Sequence, residues 1–531
     1  MIGLSCLENS LSWSAALSMR FAASMDAGDA SEHTMPTVKA LTAGLPNASL
    51  SGGGKQEVTC LITDSRRVVP GALFFAIGGL HTDGNLYIEE AIGRGAVGIV
   101  SEQPAGSNRQ VAWLQVPNVR SVLAEVARRF YDHPDTQVEV VGVTGTNGKT
   151  TVSMLLQFLL SEQPADTGLI GTVRYDLGRR TIPSYKTTPE SVDIYSMLDQ
   201  MRREQCKRAV MEISSHAIDQ QRVEGLHVRI AAFLNLTRDH IDYHHDLDAY
   251  FSVKAKLFTG ETGNLPEVAV VNLDDPYGHR LLKKIPANVR TITFGKDDSA
   301  DIRAENIRLE PEGSRFRAIW PGGEAELFTR EPGQYNVSNV LAALAVCYAR
   351  GMDLTALSEK IASFPGVPGR MERVDLGQPF PVLVDYAHTD DALRNALGML
   401  REITPGRLFV VFGCGGNRDR EKRPLMTTAV QEKADFTWAT SDNPRKETIE
   451  QIFDDMRSGV VRDDAIDFVS DRRRAIGLAI DAAGEGDCVI IAGKGHETFQ
   501  EFADTVVPFD DRLVARDFLS RKNFQPKEDA E

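Results

Sequence analysis

The stretch VEVVGVTGTNGKTTVSMLLQFLL, residues 138–160, decides the fold, because a short apolar strand runs through a glycine-containing turn into a helix. Val140, Val141 and Val143 favour a strand, whereas Gly145 and Gly148 permit backbone angles that other residues resist. After the turn, apolar residues recur at helical spacing. We interpret this strand, turn and helix as a cradle for the phosphates of a nucleotide.

The chemistry of such a cradle comes from its amides, a lysine and a hydroxyl. The loop amides and the helix N-terminus converge on one point, which favours an anion. Lys149 can reach the β- and γ-phosphates, and the Thr150 hydroxyl can coordinate Mg²⁺. The strict pattern has a glycine six residues before the lysine, where this chain has Val143. A glycine-rich turn in an ordinary strand-helix unit therefore stays an alternative.

Composition excludes several classes of protein. A net charge of −15 and a pI near 5.3 argue against nucleic acid as a partner. No apolar run is long enough for a membrane span. The six cysteines form no CxxC pair, which favours free thiols in a reducing compartment, so we expect a cytoplasmic protein.

The chain of 531 residues is too long for one core, and we predict three domains of the α/β class. Residues 1–36 lack the pattern of an export signal and are predicted to be a disordered or non-native extension. A small α/β domain is expected over 37–137, a central parallel-sheet ATPase domain over 138–366, and a Rossmann-like α/β domain over 367–531. The strands predicted in these domains lie at 73–79, 96–102, 208–213, 229–236, 268–275, 381–387, 407–413, 435–440 and 487–493.

Polar residues follow the strands of the central domain. Glu212 and His216 come at the end of one strand, which would place them near the phosphate cradle, although a structural role for His216 is equally possible. The segment 235–256 is rich in histidine but has no standard zinc spacing. Lys254 falls in a helical stretch, where spacing alone favours an exposed lysine.

Four strands predicted in the last domain end in charged or glycine-rich segments: DYAHTDD, GCGGNRDREKRP, SDNPRKE and GKGHE. Because parallel strands end at one edge of a sheet, these residues indicate a site there. Arg418 and Arg445 could grip a carboxylate, and Glu497 could take an ammonium group. The arrangement suits a zwitterionic amino acid, although the basic run 418–423 alone would be a solvated patch.

Eleven motifs occur in the order found in one known family: DSRRVVPGALF, TGTNGKTT, TTPES, EISSHAI, NLTRDHIDYH, NVSNVLAALA, GRMERV, DYAHT, GCGGNRDREKRP, DNPR and GKGHE. In these motifs the chain resembles the Mur ligases of peptidoglycan precursor synthesis, from about residue 38 onward. Two departures are Lys186, where many relatives have Asn, and Asp390, where Pro is common.

The resemblance implies an ATP-dependent ligase that uses Mg²⁺. Its DNPR form implies addition of meso-diaminopimelate to the D-glutamate γ-carboxylate of UDP-MurNAc-L-Ala-D-Glu through an acyl phosphate. The implied partners are these small molecules, with no nucleic acid and no membrane span, and the protein is expected to be a monomer. A lysine-adding ligase, a folylpolyglutamate synthase, and a nucleotide-regulated scaffold without turnover stay as alternatives.

The resemblance also implies roles for individual residues. Lys149, Glu212, Lys254 and His216 would be catalytic, and Thr150, Glu212 and a carbamylated Lys254 would hold the metal. ATP would contact Gly145, Thr146, Asn147, Gly148, Lys149, Thr150, Thr151, Asn336, Asn339, Arg370, Asp385 and His388. The UDP substrate would contact Ser65, His81, Thr82, Lys186, Thr187, Thr188, Ser214, Gln220 and Arg222. The amino acid would contact Arg418, Asp442, Asn443, Pro444, Arg445, Gly493 and Glu497.

Overall fold

The computed structural model describes residues 35–79, 82–105, 111–310, 312–522 and 524, without the side chain of Asp242. Apart from residues 35 and 36, the predicted extension 1–36 lies outside the described residues. By its internal contacts the chain divides into two compact units. The first holds the described residues up to 149 with 160–271 and 275–292, and the second holds 150–159, 272–274 and the rest.

The first unit begins with a five-stranded sheet. Its strands are β1 Ser49–Ser51, β2 Cys60–Ile62, β3 Ala72–Phe75, β4 Gly98–Ser101 and β5 Ala112–Gln115. The order is β1-β5-β4-β3-β2, in which β2 to β5 are parallel and β1 is antiparallel to β5. The helices are α1 Val38–Thr42, α2 Ile88–Gly93 and α3 Val119–Phe130. Helix α3 buries Val119, Val122, Val126 and Phe130, the spacing of one helical face.

The first unit also holds the strands around the predicted cradle. They are β6 Glu139–Thr144, β7 Thr167–Ile170, β8 Arg174–Asp176, β9 Thr181–Pro183, β10 Arg208–Glu212, β11 Val228–Phe233 and β12 Val268–Asn272. Neighbours run in the order β12-β11-β6-β10-β7-β8-β9, parallel from β12 to β7 and antiparallel beyond. The helices of this part of the chain are α4 Lys149–Leu160, α5 Ser191–Arg203, α6 Ser215–Asp219, α7 Ile241–His244, α8 Leu247–Thr259 and α9 Pro276–Leu282. Of these, α4 is counted with the second unit from residue 150 to residue 159.

The register of these strands places the site. Glu212 pairs with Val143, and Phe233 pairs with Thr144. The carboxyl ends of β10, β6 and β11 therefore lie side by side, so the residues that follow each strand meet at one edge of the sheet.

The second unit opens with β13 Arg290–Gly295, β14 Ile302–Glu310, β15 Gly313–Trp320 and β16 Gly323–Thr329. Strand β13 is parallel to β14, and β14, β15 and β16 are antiparallel. The helices that follow are α10 Gln334–Ala349 and α11 Ser358–Ala362.

A six-stranded sheet forms the rest of the second unit. Its strands are β17 Glu372–Arg373, β18 Val382–Asp385, β19 Leu408–Cys414, β20 Phe436–Ser441, β21 Ile466–Val469 and β22 Cys488–Ala492, followed by a hairpin of β23 Phe499–Phe502 and β24 Thr505–Pro508. The order is β17-β18-β22-β19-β20-β21, parallel except for β17. The helices are α12 Asp390–Ile403, α13 Lys422–Gln431, α14 Ile449–Arg457, α15 Arg472–Ala482 and α16 Asp511–Arg521.

Helices cover both faces of this sheet, as the apolar sequences of its strands predict. In β19, Val410 and Phe412 pack with residues of α12, α13 and α14. The alternate residues Phe409 and Val411 pack with residues of α15 and α16. Most charged groups of this part of the chain therefore lie beyond the ends of the strands.

The predicted α/β class is confirmed, and so are the parallel strands predicted for the central and last domains. The predicted strands all form, and most are shorter than predicted: the strand expected over 73–79 ends at Phe75, and that expected over 229–236 ends at Phe233. The domain boundaries at 137 and 366 stay predictions. In the part of the chain that the structure describes, no helix has the length and apolar character that crossing a membrane requires.

Candidate active site

The loop after β6 is held by the segment after β11. The amide of Thr146 donates to the Asn235 carbonyl at 3.0 Å, and the amide of Asn147 donates to the Asn235 side-chain oxygen at 2.9 Å. Gly148 has a φ of +85°, which favours glycine, and a Cβ at Gly145 would lie 2.9 Å from the Cβ of Leu234. The amides of Thr146 and Asn147, which we expected to face phosphate, thus donate hydrogen bonds to Asn235 and hold the loop in place.

Two lysines meet on one carbonyl oxygen of this loop. The ammonium of Lys149 donates to the Gly145 carbonyl at 2.9 Å and to the Thr146 carbonyl at 2.8 Å. The ammonium of Lys254 donates to the same Gly145 carbonyl at 3.0 Å. Sequence positions more than 100 residues apart therefore place two cations against the predicted phosphate cradle.

Lys254 is fully buried on helix α8, so the alternative of an exposed lysine is wrong. Its ammonium also lies 4.8 Å from the centre of the Tyr250 ring. Burial and the neighbouring Lys149 hold the pKa of the Lys254 amine well below its usual range, and Asp239 opposes them. The Lys254 amine therefore loses its proton more readily than an exposed lysine does.

Glu212 lies at the end of β10 with 1% of its surface exposed. Its two oxygens accept from the amide of Thr172 at 2.8 Å and from the Thr172 hydroxyl at 2.9 Å. These bonds fix the carboxylate at the edge where β6 also ends.

Most of the residues predicted to contact the UDP substrate lie next to Glu212. The Thr188 hydroxyl donates to the Glu212 carbonyl at 2.8 Å and accepts from the Ser214 amide at 3.0 Å. Arg222 donates to the Thr188 carbonyl at 2.9 Å and to the Gln220 side chain at 2.6 Å. Lys186 and Thr187 are linked to this cluster through other residues. Lys186 forms an ion pair with Glu190, which also pairs with Arg222. The Thr187 hydroxyl forms a hydrogen bond with the Thr172 hydroxyl.

Two other residues predicted to contact the UDP substrate lie in the segments between strands β2 and β4 of the small sheet. Ser65 is buried and donates to Glu90 at 2.8 Å, and Thr82 is exposed. His81 lies outside the described residues. The role of these residues in binding the UDP substrate stays a prediction.

The histidine-rich segment forms a cluster of rings. His216 lies 4.7 Å from His240 and 4.3 Å from Tyr243, measured between ring centres, and His244 stacks on Tyr250 at 4.9 Å. Burial lowers the pKa of His240 to about 4; Asp239 opposes this, and His216, Lys149 and Lys254 reinforce it. His240 was missed by sequence reasoning, although its position just after β11 could have indicated the same strand edge.

The second unit holds the other residues predicted to contact ATP. Asn339 donates to Asn336 at 3.0 Å inside helix α10, and Asn336 donates to the Pro332 carbonyl. Asp385 accepts from the amides of Met371 and Ala387, both at 2.8 Å, so it holds two loops in place.

Tyr386 lies among the remaining residues of this group. The Arg370 guanidinium lies 4.6 Å from the centre of the Tyr386 ring, and His388 contacts the Tyr386 carbonyl at 2.9 Å. Nearby, burial raises the pKa of Glu331 to about 8, and the carboxylates of Asp385 and Glu372 add to this. The group thus combines an arginine, aromatic rings and a carboxyl held protonated at neutral pH.

The predicted amino-acid pocket lies where β20 and β22 end. The Nε of Arg445 pairs with Glu501 at 2.8 Å, and another guanidinium nitrogen donates to the Gly416 carbonyl at 2.8 Å. Asn443 donates to Glu497 at 2.9 Å. Asp442 and Gly493 adjoin this pair, since a Cβ at Gly493 would lie 2.9 Å from an Asp442 oxygen. Pro444 is buried in the same loop.

The basic run does not behave as one solvated patch. Arg418 is exposed. A Cβ built on Gly415 would lie 3.7 Å from Arg418 Cγ and 3.2 Å from a guanidinium nitrogen of Arg445, so Arg418 lies beside the predicted pocket. Arg423 is buried and pairs with Glu447 and Asp455. Its guanidinium lowers the pKa of Glu447 to about 2. Only part of the run is therefore available to a ligand.

A second buried ion pair, between Arg472 and Asp511, holds the starts of the two loops that form the predicted pocket. Arg472 makes two hydrogen bonds to Asp511, at 2.8 and 2.7 Å, and both side chains are 0% exposed. The same guanidinium donates to the carbonyls of Ser441 and Ala492, the last residues of β20 and β22. Arg472 thus ties together the two strand ends that carry the pocket.

Among the described residues, no group of three His, Cys, Asp or Glu side chains is arranged to hold a metal ion. The predicted set of Thr150, Glu212 and Lys254 contains one carboxylate, and a carbamate on Lys254 would supply further oxygen ligands of the kind that Mg²⁺ prefers. The donor types of this set would suit Mg²⁺ if Lys254 were carbamylated, and the assignment stays a prediction.

Comparison with known proteins gives matches over most of the chain. Models of the Mur ligase family match here: the catalytic domain over 57–131, the middle domain over 143–347 and the glutamate ligase domain over 369–495. A protein of Solibacter usitatus named UDP-N-acetylmuramoyl-L-alanyl-D-glutamate--2,6-diaminopimelate ligase is 45% identical over 467 residues, 87% of this chain and 94% of that protein. A protein of the same name from Geobacillus thermodenitrificans is 43% identical over 90% of this chain and 98% of its own. A solved structure of a ligase with this name has a TM-score of 0.67 and 33% identity, and covers 92% of this chain and 100% of its own.

Proposed function

This chain belongs to the Mur ligase family, and from that premise we propose that it is an ATP-dependent amide ligase of peptidoglycan precursor synthesis. It joins meso-2,6-diaminopimelate to the D-glutamate γ-carboxylate of UDP-MurNAc-L-Ala-D-Glu. The observation that carries this proposal is the 45% identity to a diaminopimelate ligase over 94% of that protein.

The reaction has two steps. A γ-carboxylate oxygen of the UDP substrate attacks the γ-phosphorus of ATP, so that ADP leaves and an acyl phosphate forms. The amine of diaminopimelate then attacks the acyl carbon, phosphate leaves with the bridging oxygen, and the nitrogen loses a proton. Such phosphoryl transfer depends mainly on positioning and on neutralising charge.

Lys149 is the residue we assign to the transferring phosphoryl group. Its ammonium lies against the carbonyls of Gly145 and Thr146, at the turn that leads into helix α4. A lysine on such a turn can move its charge onto the β- and γ-phosphates when ATP is bound. Gly148 to Thr151 supply the amides of the helix start, since Asn235 already takes those of Thr146 and Asn147.

Glu212, the Thr150 hydroxyl and a carbamate on Lys254 are the ligands we assign to Mg²⁺. The neutral amine of Lys254 can add to the carbon of CO₂ and lose a proton, which gives an anionic carbamate. Mg²⁺ bound at this edge would neutralise charge on the phosphates. A carbamate would also relieve the repulsion between the two ammonium groups that share the Gly145 carbonyl.

The pocket between 442–445 and 493–497 is where we place diaminopimelate. Arg445 and Arg418 offer guanidinium groups to a carboxylate, and Glu497 offers a carboxylate to an ammonium group. The DNPR arginine thus has a partner in diaminopimelate that lysine lacks, because lysine has no second carboxylate.

We further propose that the protein acts as a monomer in the cytoplasm. All five described cysteines are buried and unpaired, as a reducing compartment would allow. Light scattering of the purified protein at micromolar concentration would test the monomer, and a dimer mass would contradict it.

The specificity is tested with purified protein, ATP, Mg²⁺ and UDP-MurNAc-L-Ala-D-Glu. An equal mixture of meso-diaminopimelate and L-lysine is added, and the product is identified by mass spectrometry. We expect the diaminopimelate tripeptide to exceed the lysine product at least about 100-fold, since L-lysine has no second carboxylate to form charge-assisted hydrogen bonds with Arg445 and Arg418. A lysine product in excess would assign the lysine-adding reaction, and ATP hydrolysis without either product would contradict ligation.

A further inference from the structure

Lys494 follows Gly493 just after strand β22, and its side chain is 0% exposed. A buried ammonium group costs free energy unless charged and polar partners surround it. Lys494 has no place in the two-step chemistry described above, so its burial at the amino-acid pocket calls for another explanation.

Three oxygen atoms surround the Lys494 ammonium. It lies 3.0 Å from a carboxylate oxygen of Glu497, 3.1 Å from the side-chain oxygen of Asn443 and 3.9 Å from a carboxylate oxygen of Asp442. All three partners belong to the pocket proposed for diaminopimelate. Lys494 therefore lies at the base of that pocket and joins its two loops.

Lys494 also determines which way the Asn443 amide faces. The Asn443 oxygen accepts from Lys494 and from the amide of Glu501 at 3.0 Å, and both of these groups can only donate. The Asn443 nitrogen must then be the atom that donates to Glu497 at 2.9 Å. The same Glu497 oxygen thus receives two hydrogen bonds, one from Lys494 and one from Asn443.

The charges of this cluster leave one unit unbalanced. Asp442 and Glu497 carry two negative charges, and Lys494 carries one positive charge. The Glu497 side chain is 24% exposed, whereas that of Lys494 is not exposed at all. The neighbouring Arg472 is already paired with Asp511, so it does not change this count. A ligand can therefore reach the Glu497 carboxylate but not the lysine.

We infer that Lys494 is a positioning residue that, by its contacts with Glu497 and Asn443, sets the pocket to accept the non-reacting ammonium group of the incoming diamino acid. This inference rests on the proposed function. Lys494 acts through Glu497: it orients the carboxylate and leaves a net charge that matches one ammonium group.

The test compares two substrates. Meso-diaminopimelate keeps a second ammonium group after its first amine has reacted. The analogue 2-aminopimelate has both carboxylates of diaminopimelate but only one amine, so no ammonium group is left when that amine reacts. In Lys494→Met, which removes the charge at similar length, we expect kcat/KM for diaminopimelate to fall at least about 20-fold through KM, as for loss of one charge-assisted contact. For 2-aminopimelate we expect a change below about threefold, so the preference between the two substrates is lost.

A double-mutant cycle checks that Lys494 acts through Glu497. In a Glu497→Gln background, Lys494→Met should lower kcat/KM for diaminopimelate by less than about threefold, because the carboxylate it positions is gone. Lys446→Met is the matched control: Lys446 is exposed and lies on the same loop as Asn443. We expect the control to keep the wild-type preference.

A merely structural role would lower activity on both substrates and keep their ratio, and that result would overturn the inference. Lys494→Gln, which keeps hydrogen-bond donors without the charge, replaces Lys494→Met if the latter does not fold, and should lose the same preference. If the wild-type protein turned over neither substrate, the proposed function would fail instead. A wild-type preference with no change in the variants would overturn only the role of Lys494.

Discussion

The ammonium of Lys254 lies in a dry site beside that of Lys149, and both donate to the Gly145 carbonyl. Burial lowers the pKa of the Lys254 amine, the like charge of Lys149 lowers it further, and the neutral form is the one that reacts with CO₂. Spacing alone favoured an exposed lysine here, because a helix of thirteen residues does not reveal from its sequence which of its lysines faces the core.

Lys254→Ala should lose at least about 100-fold in turnover, because a metal ligand and its charge are removed together. Lys256→Ala is the control, since Lys256 is half-buried on the same helix. With carbon-13 bicarbonate, NMR should show a carbamate carbon in the wild type and in Lys256→Ala but not in Lys254→Ala. Wild-type turnover by Lys254→Ala, or a carbamate signal that persists in it, would contradict the assignment.

Other residues of the site could not be predicted individually. Asn235 was part of a recognised motif, but its bonds to the amides of Thr146 and Asn147 depend on how β11 lies beside β6. His240 was passed over because only the fold brings it to His216 and the two lysines. Motif spacing thus identifies which residues carry the chemistry, whereas partners come from the register of the sheet.

At the scale of elements, the strands were predictable and their ends were less so. Runs such as that of β19 are apolar throughout, which is typical of a parallel strand covered on both faces. The predicted strand at 229–236 ran past Phe233 because Leu234 and Leu236 are also buried, and apolar character alone does not mark where pairing ends. The polar residues that follow each strand predicted the position of the site better than the ends of the apolar runs did.

The Arg472–Asp511 pair is the element-scale feature that we expect to matter most for stability. Arg472 holds the ends of β20 and β22 through their last carbonyls, and it is fully buried. Arg472→Met would leave Asp511 as an unpaired buried charge, so the free energy of unfolding of this region should fall by about 3–5 kcal/mol.

The measurement is urea unfolding, followed by hydrogen exchange of peptides from β20 and β22. The control is Arg473→Met, because the neighbouring Arg473 pairs with Asp517 at the exposed surface. Its loss should cost about 1 kcal/mol or less. Equal effects of the two substitutions would show that the buried pair does not hold the strand ends.

At the scale of the whole molecule, the chain places its chemistry in two units. The phosphate loop, Lys254, Glu212 and the cluster around Thr188 belong to the first, whereas Arg370, Asp385 and the pocket of Arg445 and Glu497 belong to the second. The sequence predicted three domains, and that division stays a prediction beside the two units found by internal contacts. The burial of Lys494 and Arg472 could not be predicted, because it depends on helices and strands that are distant in the chain.

The central claim is that the γ-carboxylate is activated by phosphoryl transfer before the amine attacks. UDP-MurNAc-L-Ala-D-Glu labelled with oxygen-18 in its γ-carboxylate is incubated with ATP, Mg²⁺ and meso-diaminopimelate, and the released phosphate is analysed by mass spectrometry. We predict that each phosphate carries one carboxylate oxygen, because the bridging oxygen of the acyl phosphate leaves with phosphorus. Phosphate without the label, released at the same rate as the tripeptide forms, would contradict the account.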